Sequence, residues 1–91
     1  MDIQCVCIHT NEDYTYIYGN NKQLRDIASN LEGLKFEVSY GFYGQYIKYK
    51  SISCVKTCLL RNGYKFSHVS QVHSECDGVN TIFMENWIKG I

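Results

Sequence analysis

His73, Ser74, Glu75, Cys76 and Asp77 follow one another in the stretch HSECD, which offers a nucleophile, a base and carboxylates within five positions. By residue type this is the part of the chain nearest to hydrolytic or thiol chemistry. Catalysis needs geometry as well. A nucleophile, its base and an orienting group must converge from opposed directions, and neighbours in one short loop rarely do. The stretch therefore reads as an exposed acidic loop over 73–78, and no catalytic residue is expected. Metal chemistry fares no better. Cys5-x-Cys7 and Cys54-x3-Cys58 each place two thiols on one face, and His73-x2-Cys76 adds a loop pair. None is the C-x2-C knuckle of structural zinc sites. Neither a metal nor a cofactor is expected. Gly41 and Gly44 do not lie between a strand and a helix, so they do not form a phosphate-cradling loop.

The aromatic residues carry a different chemistry. Tyr46-Ile47-Lys48-Tyr49 fits the aromatic, aliphatic, any, aromatic tail of an RNA-recognition sheet motif. The preceding Phe42-Tyr43-Gly44 does not supply the basic residue, glycine and aromatic that should lead into it. Nine Lys and Arg balance nine Asp and Glu, so the excess positive charge that neutralises phosphates is missing. Nucleic acid is not the expected partner. The balance is uneven along the chain, because Lys48, Lys50, Lys56, Arg61 and Lys65 occur with no acid among them, and one face should be mildly basic. Eight tyrosines in 91 residues is a high share. Tyrosine supplies contact area at low entropy cost and a polar tip, so it is enriched at interfaces. Tyr14, Tyr16, Tyr43 and Tyr46 are the candidates for contact with another subunit or a partner; the alternative is an ordinary amphipathic sheet surface.

These residues are positioned by elements that the patterning predicts. Residues 2–10 alternate with both faces apolar, as in a central strand. Ile3, Cys5 and Cys7 point one way, Val6 and Ile8 the other. Residues 14–19 form a second strand, with Tyr14, Tyr16 and Tyr18 opposed to Thr15 and Ile17. Asn20 or Asn21 caps a helix whose stripe is Leu24, Ile27, Ala28 and Leu31, ended by Gly33. Residues 34–40 alternate as a third strand. A turn at 41–44 leads to a fourth, on which Tyr46 and Tyr49 fall on opposite faces. Ser51 or Ser53 caps a second helix with stripe Ile52, Val55 and Leu59, ended by Gly63. Strands over 64–72 and 79–87 close the chain.

The fold class is thus α+β: a mainly antiparallel sheet of about six strands in ββαββαββ order, with two helices on one face. It is one domain over residues 1–91. The cysteine count is odd, and neither a signal peptide nor a bilayer-spanning run is visible. The thiols read as reduced and mostly buried, and the expected location is cytoplasmic. The wealth of Asn, Lys, Ile and Tyr, with no proline, is the bias of an AT-rich genome, such as that of a virus or a protist.

With Phe42-Tyr43, Tyr46-Ile47, Leu59, Arg61 and Gly63-Tyr64 at their spacing, residues 42–69 resemble the GTP cyclohydrolase I feedback regulatory protein family. The resemblance rests also on Asn80-Thr81-Ile82-Phe83, where the family has a Gln-Thr pair followed by apolar residues. Thr15, Gly19, Leu31 and Gly33 line up loosely, and the order of elements fits. The chain departs in its longer loop at 70–77, its lack of prolines and its Asn80 in place of Gln. The resemblance implies a non-enzymatic regulator that forms a homopentamer and docks on GTP cyclohydrolase I. It also implies a small effector, phenylalanine or a pterin, held near Asn80 and Thr81. An alternative is a virus-encoded protein that sequesters a host nucleotide signal or inhibits a host protein.

Overall fold

In a computed structural model, residues 3–41, 43–74 and 80–90 are described, with His73, Ser74 and Asn80 described as backbone only. Phe42 and the segment 75–79, which holds Glu75, Cys76 and Asp77 of the HSECD stretch, lie outside the described residues.

The strands are Ile3–Thr10 (β1), Thr15–Tyr18 (β2), Ser39–Gly41 (β3), Gly44–Tyr49 (β4), Lys65–Ser74 (β5) and Asn80–Gly90 (β6). The helices are Asn21–Ala28 (α1) and Ile52–Arg61 (α2). All strand pairings are antiparallel, in the order β3-β4-β2-β1-β6-β5. The expected fold class is therefore the observed one. β1 sits in the interior between β2 and β6, which explains why both its faces are apolar.

One face of the sheet is covered by the two helices. Val6, Ile8, Ile17, Ile47 and Trp87 of the sheet pack there against Leu24, Ile27, Val55, Cys58 and Leu59 of the helices. Burial of such side chains contributes roughly 1.5–3 kcal/mol each relative to exposure. Local chemistry sets the helix starts. Asn20 caps α1 in a reciprocal box: its side chain accepts from the Gln23 N–H, and Gln23 Oε1 accepts from the Asn20 N–H. Ser51, not Ser53, caps α2 by accepting from the Cys54 N–H. Gly63 directly follows Asn62, the C-cap of α2, at φ of 88°, a left-handed geometry that other residues adopt at a cost. Gly33 does not end α1 as expected: the helix stops at Ala28 with Ser29 as its C-cap, so Leu31 of the stripe lies beyond it, and Gly33, at φ of 78°, belongs to the turn that follows.

Two other expectations need correction. The alternating stretch 34–40 is not a full strand, since only Ser39–Gly41 pairs, with β4. Residues 34–38 are irregular, yet Leu34 and Val38 pack against the core, and the Arg25 guanidinium lies 5.3 Å from the Phe36 ring centroid. The alternation there anchors a crossing segment to helix and core without a hydrogen-bonded neighbour. The last hairpin is also longer than its pattern suggests. β5 runs to Ser74 and β6 to Gly90, while β1 pairs only with Glu85–Gly90 of β6. Positions 70–74 and 80–84 therefore pair with each other as a two-stranded arm beyond the β1–β6 pairing.

Candidate binding surfaces

The helices leave the opposite sheet face uncovered. The strand registers place Ile3, Cys5, Cys7 and His9 on it, with Tyr16 and Tyr18, Tyr46, Ile82, Met84, Asn86 and Ile88, and with Lys48 on β4 and Lys65 on β5. His68, Ser70 and Val72 complete it on β5. Cys7, Tyr18 and Met84 are buried although neither helix lies over them, because Tyr16, Tyr46, Val72 and Ile82 pack around them. The rings interlock. Tyr16 and Tyr46 meet edge-on with centroids 5.4 Å apart, Tyr18 and Tyr46 at 5.2 Å, and Tyr18 and Tyr43 edge-on at 5.7 Å. His9 stacks on Tyr16 at 5.9 Å. Gly41 makes room for this cluster, since a Cβ there would sit 3.0 Å from the Tyr46 ring.

Asn86 ties the face to the neighbouring strands. Its Oδ1 accepts from the Cys7 thiol at 3.2 Å, and its Nδ2 donates to Ser70 Oγ at 2.9 Å and to the His68 carbonyl at 3.2 Å. A buried amide with both ends engaged fixes strand register. Sequence reading passed over this residue. The signal was a lone amide at an inward step of the otherwise apolar alternation Ile82, Met84.

The centre of the face is electrically quiet. Burial, and then the neighbouring Cys5, push the Cys7 thiol up to about 11. Burial, and then Tyr46 and Tyr16, push the Tyr18 hydroxyl up to about 12. Tyr43 is raised chiefly by the proximity of Cys7. All three groups are neutral at physiological pH. No carboxylate stands among the described strand residues of this face.

A second surface lies where β2 begins and β4 ends. There Tyr14, Leu34, Lys35, Lys48, Tyr49 and Lys50 line a cleft of about 410 Å³ beside Ser51, the cap of α2. Tyr49 is pinned by donating its hydroxyl to the Glu32 carbonyl at 2.6 Å. Tyr14 is held by Asn11, whose Oδ1 accepts from the Tyr14 N–H at 2.8 Å.

The expected site residues divide among these places. Tyr16, Tyr43 and Tyr46 come together on the outer face, while Tyr14 stands in the lysine-lined cleft. Tyr46 faces away from the helices, and Tyr49 packs on the helix-side core. Thr81 is exposed on the hairpin arm, where its backbone pairs with His73, and Asn80 pairs with Ser74 at the base of the tip. Among the described residues no three His, Cys, Asp or Glu side chains are grouped to hold a metal, and no helix is long and apolar enough to cross a membrane. Cys5, Cys7, Cys54 and Cys58 are free thiols, with Cys5 and Cys54 exposed. Only two of the four are buried, fewer than the apolar setting of the cysteines suggests.

No protein-family model, no curated protein and no solved structure matches the chain.

Proposed function

We propose that this chain is a non-enzymatic binding protein that works as a homo-oligomer, assembling through the uncovered sheet face to regulate an enzyme on which it docks. The observation that carries this reading is the charge-poor aromatic face around Cys7, Tyr18 and Met84. A second copy suits the centre of that face because it is neutral, while Lys48 and Lys65, the lysines that the registers also place there, stand on β4 and β5 away from the Cys7–Tyr18–Met84 cluster. Ile88 and Ile3, on the same face, are 36% and 69% exposed and extend its apolar area. Small domains with thin stability margins gain from such association. Exposed thiols at Cys5 and Cys54 suit a reducing compartment such as the cytoplasm. The resemblance to the feedback regulator names the partner and effector for a first trial: GTP cyclohydrolase I, with phenylalanine or a pterin.

The test is native mass by light scattering across a concentration series. The expected result is an oligomer whose mass drops to that of one chain in a Tyr46→Lys, Ile82→Lys double variant, with the helical circular dichroism retained. A wild-type monomer at about micromolar concentration would overturn the reading. Activity of purified GTP cyclohydrolase I with and without the protein, in the presence of phenylalanine or pterin, decides the named partner separately.

A further inference from the structure

The lysine-lined cleft at the start of α2 meets the tyrosine cluster of the outer face only at Lys48, which pairs with Tyr16, and four properties converge on it. Its size, about 410 Å³, is within the range of small-ligand pockets. Its charge is unbalanced, since Lys35, Lys48 and Lys50 line it against Glu32 alone. Lys35 has a second acid within reach, Glu37 at 3.2 Å, but both side chains are 70% or more exposed, and such a pair holds the ammonium weakly. The third property is the helix end. α2 has no acid in its first turn, so no side-chain anion offsets the positive end of its dipole. The fourth is the pair of tyrosines. Tyr49 is held through its hydroxyl and Tyr14 through its backbone N–H, whereas the lysines reach in on flexible stems. The Lys48 ammonium rests 4.7 Å from the centroid of the Tyr14 ring, so cation and ring already share one spot.

An aromatic ring beside mobile cations selects a ligand that has both a planar ring and an anionic group. We propose that this cleft binds a small aromatic anion of mononucleotide size, its phosphate held by Lys35, Lys48 and Lys50 and its ring laid against Tyr14. The ammonium of Lys48 moves from the Tyr14 face to the phosphate as the base takes its place. The site goes beyond the assembly proposed above and does not depend on it. It is also distinct from the Asn80–Thr81 position that the family resemblance implies.

The probe is adenosine 5′-monophosphate, titrated into the full chain and followed by amide-correlation NMR and calorimetry. The expected result is saturable movement of signals from residues 14, 33–35 and 48–53, with a Kd below about 1 mM. Adenosine and inorganic phosphate should each bind at least about tenfold more weakly. A Lys48→Gln, Lys50→Gln double variant, altered only at exposed positions, should lose about tenfold or more, whereas Lys65→Gln should lose nothing. Absence of saturable movement, movement centred on other residues, or affinity unchanged in the double variant would overturn the proposal. Equal binding of phosphate alone would overturn it as well, by leaving Tyr14 no role. Native mass is measured independently, so failure here is distinguishable from failure of the proposed assembly.

Discussion

Asn86 and Cys7 show how the outer face holds polar groups without exposing charge. The amide oxygen accepts a hydrogen bond from the thiol, and the amide nitrogen donates to β5. Burial and hydrogen bonding then favour the neutral thiol. The consequence is a pH dependence of definite sign. The Cys7 thiol moves from its ordinary 9.0 up to about 11, so between those values the unfolded chain releases a proton that the folded chain keeps. The unfolded state binds fewer protons there, and stability falls as pH rises through the window. Below the lower value the contribution is fully present. The loss is on the order of 1–2 kcal/mol for Cys7. Tyr18 acts in the same sense at slightly higher pH, moving from 10.0 to about 12. Thermal unfolding at graded alkaline pH should therefore show a Tm that declines less steeply in Cys7→Ala than in wild type. Parallel curves for the two proteins would refute this assignment.

At the scale of elements, the helices are where local sequence chemistry is most self-contained. The Asn20–Gln23 box satisfies two N–H groups that α1 would otherwise leave open. Gln23 is itself buried and donates from Nε2 to the Cys5 carbonyl at 3.3 Å, which couples the cap to β1. Asn20→Ala should lower stability by about 1 kcal/mol, measured as the midpoint shift in urea with the slope unchanged. A shift near zero would mean that water replaces the cap freely. The same locality explains what the sequence discloses. α1, α2, β1, β2 and β4 follow from period and capping residues, because each buries a continuous stripe against its neighbours. The segment 34–38 does not follow. Alternation records which side chains are buried and leaves open whether a strand lies alongside to accept hydrogen bonds. Asn86 was illegible for a related reason. Its partners Cys7 and Ser70 lie on other strands and meet only once the register is set. The cleft lysines were legible as a basic run from Lys48 onward, but their meeting with Tyr14 and Lys35 depends on how β2 and the 32–35 segment approach β4.

The molecule as a whole is unequal at its two sheet edges. At one edge β3 offers three residues; at the other β5 offers ten, with a bulge between Phe66 and His68 as its irregularity. Natural sheets blunt long edges with proline, charge or a covering element, and this chain has no proline. Beyond the β1–β6 pairing the β5–β6 arm continues as two paired strands, with Phe83 exposed on the helix side and Val72 and Ile82 half-buried on the other. An isolated hairpin is marginal in water, and beyond Glu85 the arm has no third strand paired to it among the described residues, only the packing of Val72 and Ile82 on the Cys7–Tyr18–Met84 cluster. Amide hydrogen exchange should therefore divide along β6. At low protein concentration, positions 81–83 and their partners at 71–73 should exchange faster than positions 85–88, which β1 covers, by at least about tenfold, because local opening of the arm leaves the core intact. Raising the concentration should slow exchange in the arm and across the outer face together, if assembly buries Val72 and Ile82 with Tyr16 and Tyr46. Slowing of the arm alone would instead place the contact at the β5 edge. Equal protection along all of β6 at low concentration would show that the arm draws its stability from something other than its two strands.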